Sequence, residues 1–199
     1  MATGQTPKCC VLACADSRVP PEIVFDQGVG DLFVVRVAGN FADEDNQASL
    51  EYALQHFTPP PAVIVVLGHE RCGAVQAAAI SFDEASFSPK VVATFKHQPA
   101  PSDKLTALVT RLKPAIDATR EDPPPRTDDG HAARLDTAVR WNVRDTVVTL
   151  QNNPVMKGFL EDGRLLFIGA RYDLDTGEVE WLTDVSVAVE ARGPGPQAS

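Results

Sequence analysis

The sequence predicts a single α/β domain: a central, mostly parallel β-sheet flanked by helices, with an edge hairpin at the C-terminal end. Three observations carry that reading. Apolar, largely β-branched runs at residues 8–13, 32–37 and 62–67 alternate with helical patterns, as parallel strands and their crossovers require. Two later runs, 165–172 and 179–182, flank Asp175-Thr176-Gly177, a turn suited to a hairpin. The chain has 199 residues, 44% of them hydrophobic, enough for one sizeable core and too few for two comfortable domains.

The elements follow in order. Residues 8–13 read as a buried strand. Pro20-Pro21-Glu22 opens a short helix through Phe25, since proline is tolerated in a first turn. Gly28-Val29-Gly30-Asp31 is a turn into the second strand. Residues 49–57 place Leu50, Ala53, Leu54 and Phe57 at helical spacing, and Thr58-Pro59-Pro60-Pro61 stops that helix. The third strand, 62–67, leads to a helix over 73–80. Residues 81–101 give mixed signals. Residues 104–120 read as one helix with Leu105, Leu108, Leu112 and Ile116 on a face and Pro114 as a bend. The Pro- and Asp-rich stretch 121–130 is expected to be an exposed loop. A long helix over 132–152 and a shorter one over 154–160 precede the hairpin. Residues 193–199 have nothing to bury and are expected to be a disordered tail.

A net charge of −9 argues against nucleic acid or an anionic membrane surface as partner. No apolar stretch approaches the roughly 20 residues that span a bilayer, and the N-terminus lacks a secretory pattern. The four cysteines, at 9, 10, 14 and 72, are clustered rather than spread as a disulfide framework would be, which points to a reducing, cytoplasmic setting. Cys9 and Cys10 are adjacent on a strand, face opposite sides of the sheet, and read as core residues.

Two segments stand out. Cys14-Ala15-Asp16-Ser17-Arg18 and His69-Glu70-Arg71-Cys72-Gly73 each follow an apolar strand. Parallel strands that end side by side direct their following loops into one crevice. Cys14, His69 and Cys72 offer two thiolates and an imidazole, a charge-balanced set for Zn²⁺ that leaves a fourth position for water. Asp16 stands close enough to be a fourth ligand or an outer acceptor, with Arg18 positioned to pair with it. Spacing alone also allows a turn histidine beside two core cysteines, or a closed structural zinc site.

Around these segments lie Gly30-Asp31-Leu32-Phe33-Val34-Val35-Arg36, Ala38-Gly39-Asn40, Ser49-Leu50-Glu51-Tyr52-Ala53, Gly68-His69-Glu70-Arg71-Cys72-Gly73-Ala74-Val75, Gly169-Ala170-Arg171-Tyr172-Asp173 and Asp175-Thr176-Gly177-Glu178-Val179. In order and spacing they resemble the β-class carbonic anhydrases over roughly residues 5–182, so that 1–192 is expected to form one zinc domain. The resemblance implies a zinc enzyme converting carbon dioxide to bicarbonate and a proton by zinc-bound hydroxide. It implies Cys14, His69 and Cys72 as ligands, and Asp16 with Arg18 as the dyad that orients the hydroxide. The Gly73 N–H, at a helix start, would steady a substrate oxygen. Gln5 matches a glutamine of the plant-type members that hydrogen-bonds substrate. Phe33 and Tyr52 match residues lining the apolar pocket, Tyr52 commonly from a partner subunit. A homodimer or dimer of dimers is implied. Glu70 and Arg71 are expected to be solvated or to touch another subunit; His56, His97 and His131 carry no pattern.

Two further comparisons refine this. Val37 follows Arg36 where the family often has Asn, and 13 residues precede Cys14 where members usually carry a longer helical arm. Val11 stands where the bicarbonate-regulated type has Trp, which implies an open site with water, not Asp16, on the metal. Hydrolysis of carbon disulfide or carbonyl sulfide on the same zinc is the nearest rival. A non-catalytic zinc-stabilised binding domain is a more distant one, since a structural site needs no dyad.

Overall fold

The computed structural model describes residues 4–96, 101–120 and 128–187. Five strands form one sheet in the order β2-β1-β3-β4-β5. They are β1 (Cys9–Cys14), β2 (Leu32–Val37), β3 (Val63–His69), β4 (Leu166–Tyr172) and β5 (Val179–Val187). All pairings are parallel except β4 with β5, which is antiparallel and irregular between Phe167 and Gly169. The expected α/β architecture with its edge hairpin is therefore the one observed.

The helices are α1 (Pro21–Val24), α2 (Glu44–His56), α3 (Gly73–Asp83), α4 (Pro89–Lys96), α5 (Asp103–Thr110), α6 (Lys113–Ala118), α7 (Asp128–Asn152) and α8 (Pro154–Glu161), with a 3-10 turn at Glu84–Ser86. Several bounds differ from the sequence reading, for local reasons. Helix α2 begins five residues before Ser49 because Asp43 caps it, accepting from the Asn46 N–H, and Glu44 and Asp45 favour its positive end. That first turn is polar, so apolar spacing could not reveal it. The single bent helix expected over 104–120 is two helices: Pro114 sits in the first turn of α6, where a missing N–H costs nothing. Helix α7 reaches back to Asp128, inside the stretch expected to be loop. The tail over 193–199 lies outside the described residues.

The core divides by sheet face. Even-numbered residues of β1 and β3 (Cys10, Leu12, Ile64, Val66) pack under Leu50 and Leu54 of α2, Val143 and Val147 of α7 and Met156 of α8. Val11, Ala13, Val65 and Leu67 face the other way, beneath Val19 and the short α1. A third cluster lies at the carboxyl ends of the strands, where Cys14, Cys72, Val75, Leu112, Ile116 and Val139 meet.

Helix α7 crosses β3 closely because Gly68 has no side chain: a Cβ there would lie 2.6 Å from Val143 Cγ2 and 3.1 Å from Val139 Cγ1. Overpacking of this kind costs about 1–3 kcal/mol. Gly68→Ala is accordingly expected to lower the thermal midpoint by roughly 3–8 °C, measured by thermal denaturation; an unchanged midpoint would refute the close packing.

Candidate metal centre

The chain leaves β1 toward β2 on one side and returns to β3 on the other, so the crevice between the carboxyl ends of β1 and β3 is a topological switch point. Cys14 is the last residue of β1, His69 the last of β3, and Cys72 the residue preceding α3. Their donor atoms all lie within 4.8 Å of one another, and all three residues are buried. The two sulfurs are 3.9 Å apart.

His69 is fixed in one tautomer. Its Nδ1 lies 2.8 Å from the Glu70 carbonyl oxygen, which can only accept, so Nδ1 carries the proton. Its Nε2 is left with a lone pair, buried and without a hydrogen-bond partner among the described residues. An orphaned buried acceptor costs about 1–3 kcal/mol, a debt that a metal ion would cancel. With two sulfurs beside it, the donor set fits zinc.

The sulfurs are prepared for negative charge. The hydrogen bond between the Cys14 and Cys72 sulfurs holds Cys14 well below the ordinary thiol range, helped by the Gly39 N–H at 3.3 Å. The same bond and burial push Cys72 up, while the Ala74 and Val75 N–H groups at the start of α3 face its sulfur. Cys9 and Cys10 differ: burial pushes them to about 11 and about 12, and Cys9 donates its S–H to the Cys10 carbonyl. Cys10 is a core thiol, as expected, while Cys9 is half-buried at the edge of the core.

Asp16 stands beside the three donors without joining them. Its Oδ2 is 3.8 Å from His69 Nε2. Arg18 donates Nε to Oδ1 at 2.9 Å and Nη2 to Oδ2 at 2.7 Å, and its backbone N–H donates to Oδ1 at 3.0 Å. That guanidinium holds the carboxyl far below the usual range. Arg18 Nη2 also donates to the Arg71 carbonyl at 3.3 Å, tying the two loops together. Gly73 opens α3 and is exposed; a Cβ there would meet nothing within 4 Å.

The remaining candidates are elsewhere. Gln5 is exposed on the segment leading into β1. Phe33 pairs with Cys10, four residues before Cys14, which places it about 13 Å back along the sheet; it packs edge-on against Phe57. Tyr52 is half-exposed on α2, stacked on His56 at 4.4 Å. One chain does not gather these three around the cluster.

Glu70 and Arg71, expected to be solvated or to touch another subunit, also form ion pairs within the chain; Arg71 is exposed and Glu70 half-buried. Glu70 receives Arg171 Nη2 at 2.6 Å, and Arg71 forms a two-point pair with Asp175 at 2.8 and 2.7 Å. Other supporting residues had no role assigned. Arg36 donates to the carbonyls of Cys14 and Asp16 at 2.9 and 2.6 Å. The buried Asn142 of α7 donates to the Gly39 carbonyl at 2.7 Å and Thr146 to that of Asn40, securing the turn whose N–H reaches Cys14. The Ala38-Gly39-Asn40 triplet was visible in the sequence; its partners, more than 100 residues away, were not.

Comparison with known proteins agrees with this geometry. The family model described as carbonic anhydrase matches residues 9–179. Carbonic anhydrase 2 of Mycobacterium tuberculosis is 34% identical over 178 residues, 89% of this chain and 75% of that protein. A carbonic anhydrase of Pseudomonas aeruginosa is 34% identical over 192 residues, 94% of this chain and 78% of that protein. A structure from Sordaria macrospora, described as one of two tetrameric β-carbonic anhydrases, superposes with a TM-score of 0.76 at 26% identity, covering 94% of this chain and 85% of that one. The crevice that holds Cys14, His69 and Cys72 thus belongs to a chain of the carbonic anhydrase family, in its β class.

Proposed function

We propose that the protein catalyses the reversible hydration of carbon dioxide to bicarbonate and a proton, with a zinc ion held by Cys14, His69 and Cys72. The observation that carries this reading is the buried, unpartnered Nε2 of His69, facing two sulfurs beside an ionised Asp16. Zinc, when bound, is a Lewis acid that draws the pKa of water from about 15.7 toward about 7.

The protein's own groups do the rest. Asp16 is kept ionised by Arg18, so it accepts hydrogen bonds and cannot donate them. Its Oδ2 therefore takes the hydrogen of the attacking hydroxide and turns a lone pair toward the carbon of CO₂. Arg18 fixes that carboxylate at both oxygens. The Gly73 N–H, at the start of α3 on an exposed residue, steadies a substrate oxygen as charge develops there. Asp16 is spoken for by Arg18 and stands outside the three-donor cluster, which supports the open-site subgroup.

Gln5, Phe33 and Tyr52 enter this reading from a second subunit, since their own chain keeps Phe33 far from the cluster. In that arrangement Phe33 and Tyr52 line the apolar pocket, Gln5 hydrogen-bonds substrate, and the assembly is a homodimer or dimer of dimers. One domain over 1–192 and a reducing, cytoplasmic setting complete the proposal; the four cysteines are free, and among the described residues no helix is long and apolar enough to cross a membrane.

The test is stopped-flow CO₂ hydration on protein of measured metal content, with carbonyl sulfide run in parallel. Zinc near one per chain, hydration well above the uncatalysed rate, and loss of that rate on chelation are expected. Full zinc without hydration would overturn the reading, and turnover of carbonyl sulfide alone would replace it with the rival hydrolase.

A further inference from the structure

Between His69 and Cys72 the chain turns sharply, and Arg71 takes a left-handed backbone conformation, φ 49°, that non-glycine residues rarely hold. A turn of that kind persists only where its surroundings impose it. The edge hairpin formed by β4 and β5 supplies the restraint. The Glu70 N–H donates to the Tyr172 carbonyl at 3.1 Å, continuing the β3–β4 pairing one residue past the strand. The Glu70 carboxylate accepts Arg171 Nη2 at 2.6 Å on one oxygen and the Leu174 N–H at 3.3 Å on the other. The Glu70 carbonyl in turn accepts the Nδ1–H of His69 at 2.8 Å.

Arg171 is an anchor rather than a loose surface charge. It is 7% exposed, donates Nε to Asp136 of α7, and stands 3.5 and 3.6 Å from Asp173 and Glu180. Asp136 and Glu180 are themselves joined by Arg140. Glu70 thus connects the ligand loop to a charge network spanning α7, β4 and β5. The carboxylates of Glu70, Asp173 and Asp175 lie close together, but arginines pair with all three, so they are not a second metal site: Glu70 with Arg171 forms the clamp, and Asp175 with Arg71 is a separate exposed pair.

We propose that Glu70 is a positioning residue for the metal centre: its side chain, held by Arg171 and the hairpin, locks the carbonyl that orients His69 and fixes the turn that delivers Cys72. This rests on the zinc-site reading above and adds a residue to it. Glu70 touches neither the metal nor the substrate. Groups that orient metal ligands typically set metal affinity by about 10–100-fold.

The experiment compares zinc-loaded parent, Glu70→Ala, Glu70→Gln and Asp175→Ala. Zinc transfer to a chelator is followed in time, and the visible spectrum is taken for each cobalt-substituted protein. Glu70→Ala is expected to lose zinc about tenfold faster and to shift the cobalt spectrum, which reports ligand geometry and not global stability. Glu70→Gln keeps an acceptor oxygen and is expected to fall between Ala and parent. Asp175→Ala removes only the exposed pair with Arg71, of the kind worth about 0–1 kcal/mol, and is expected to match the parent. A Glu70→Ala protein with parental zinc loss and cobalt spectrum overturns the proposal, whatever its melting temperature. A parent that holds no metal overturns the zinc reading and the clamp with it; a metal-holding parent matched by its variant overturns the clamp alone.

Discussion

Replacing Cys72 by alanine is expected to abolish zinc binding and CO₂ hydration together. Apparent binding energies for structural zinc run to about 10–16 kcal/mol, so losing one of three protein ligands forfeits several kcal/mol. At about 1.4 kcal/mol per tenfold, affinity falls by 10³-fold or more. The loss also removes the sulfur–sulfur hydrogen bond that holds the Cys14 thiol down. The fold survives, because Cys72 is a small buried residue before α3 and not a keystone of the strand pairing; removing a group of that size costs about 1 kcal/mol. Metal analysis, stopped-flow kinetics and far-UV circular dichroism on one preparation check all three statements. A folded variant with zinc near one per chain would remove Cys72 from the ligand set.

Asp16→Asn is expected to keep its zinc and lose activity by about 10²–10³-fold. Asparagine preserves shape and one acceptor oxygen but carries no charge, so its amide can turn either end toward the attacking hydroxide. Arg18, which now donates to both carboxylate oxygens, loses its ionic partner as well. Metal content separates this outcome from that of Cys72→Ala. Full activity in Asp16→Asn would end the orienting role. A crystal structure at neutral pH with Asp16 on the metal would end the open-site reading.

The parallel strands and the three donors were legible because each has a local signature. The runs ending at Cys14 and near His69 are apolar and β-branched, and the carboxyl end of such strands is where ligands gather. What escaped was held by long-range partners. Glu70 looks like a solvated charge in sequence, and only the placing of β4 beside β3 brings Arg171 to its carboxylate. Asn142 sits in the middle of a long helix with nothing nearby to mark it, and its partner is the Gly39 carbonyl. The start of α2 was missed because a polar first turn is announced by its cap, Asp43, and not by apolar periodicity. The division of 104–120 reflects packing: Leu112 is fully buried, within reach of Gly39, which has φ +93° and whose Cβ would lie 2.9 Å from a Leu112 methyl carbon.

The separation of the ligands along the chain has a consequence for how the protein matures. Cys14 and Cys72 are 58 residues apart, and they meet only because β1 and β3 have paired. In an unfolded chain Cys14 is far from His69 and Cys72, so this three-donor set does not exist before the strands pair. The proposed zinc would find its full donor set only once β1 and β3 have paired, and its uptake would report that this pairing is in place. An ion bound there would close a long loop and oppose reopening of the β1–β3 seam.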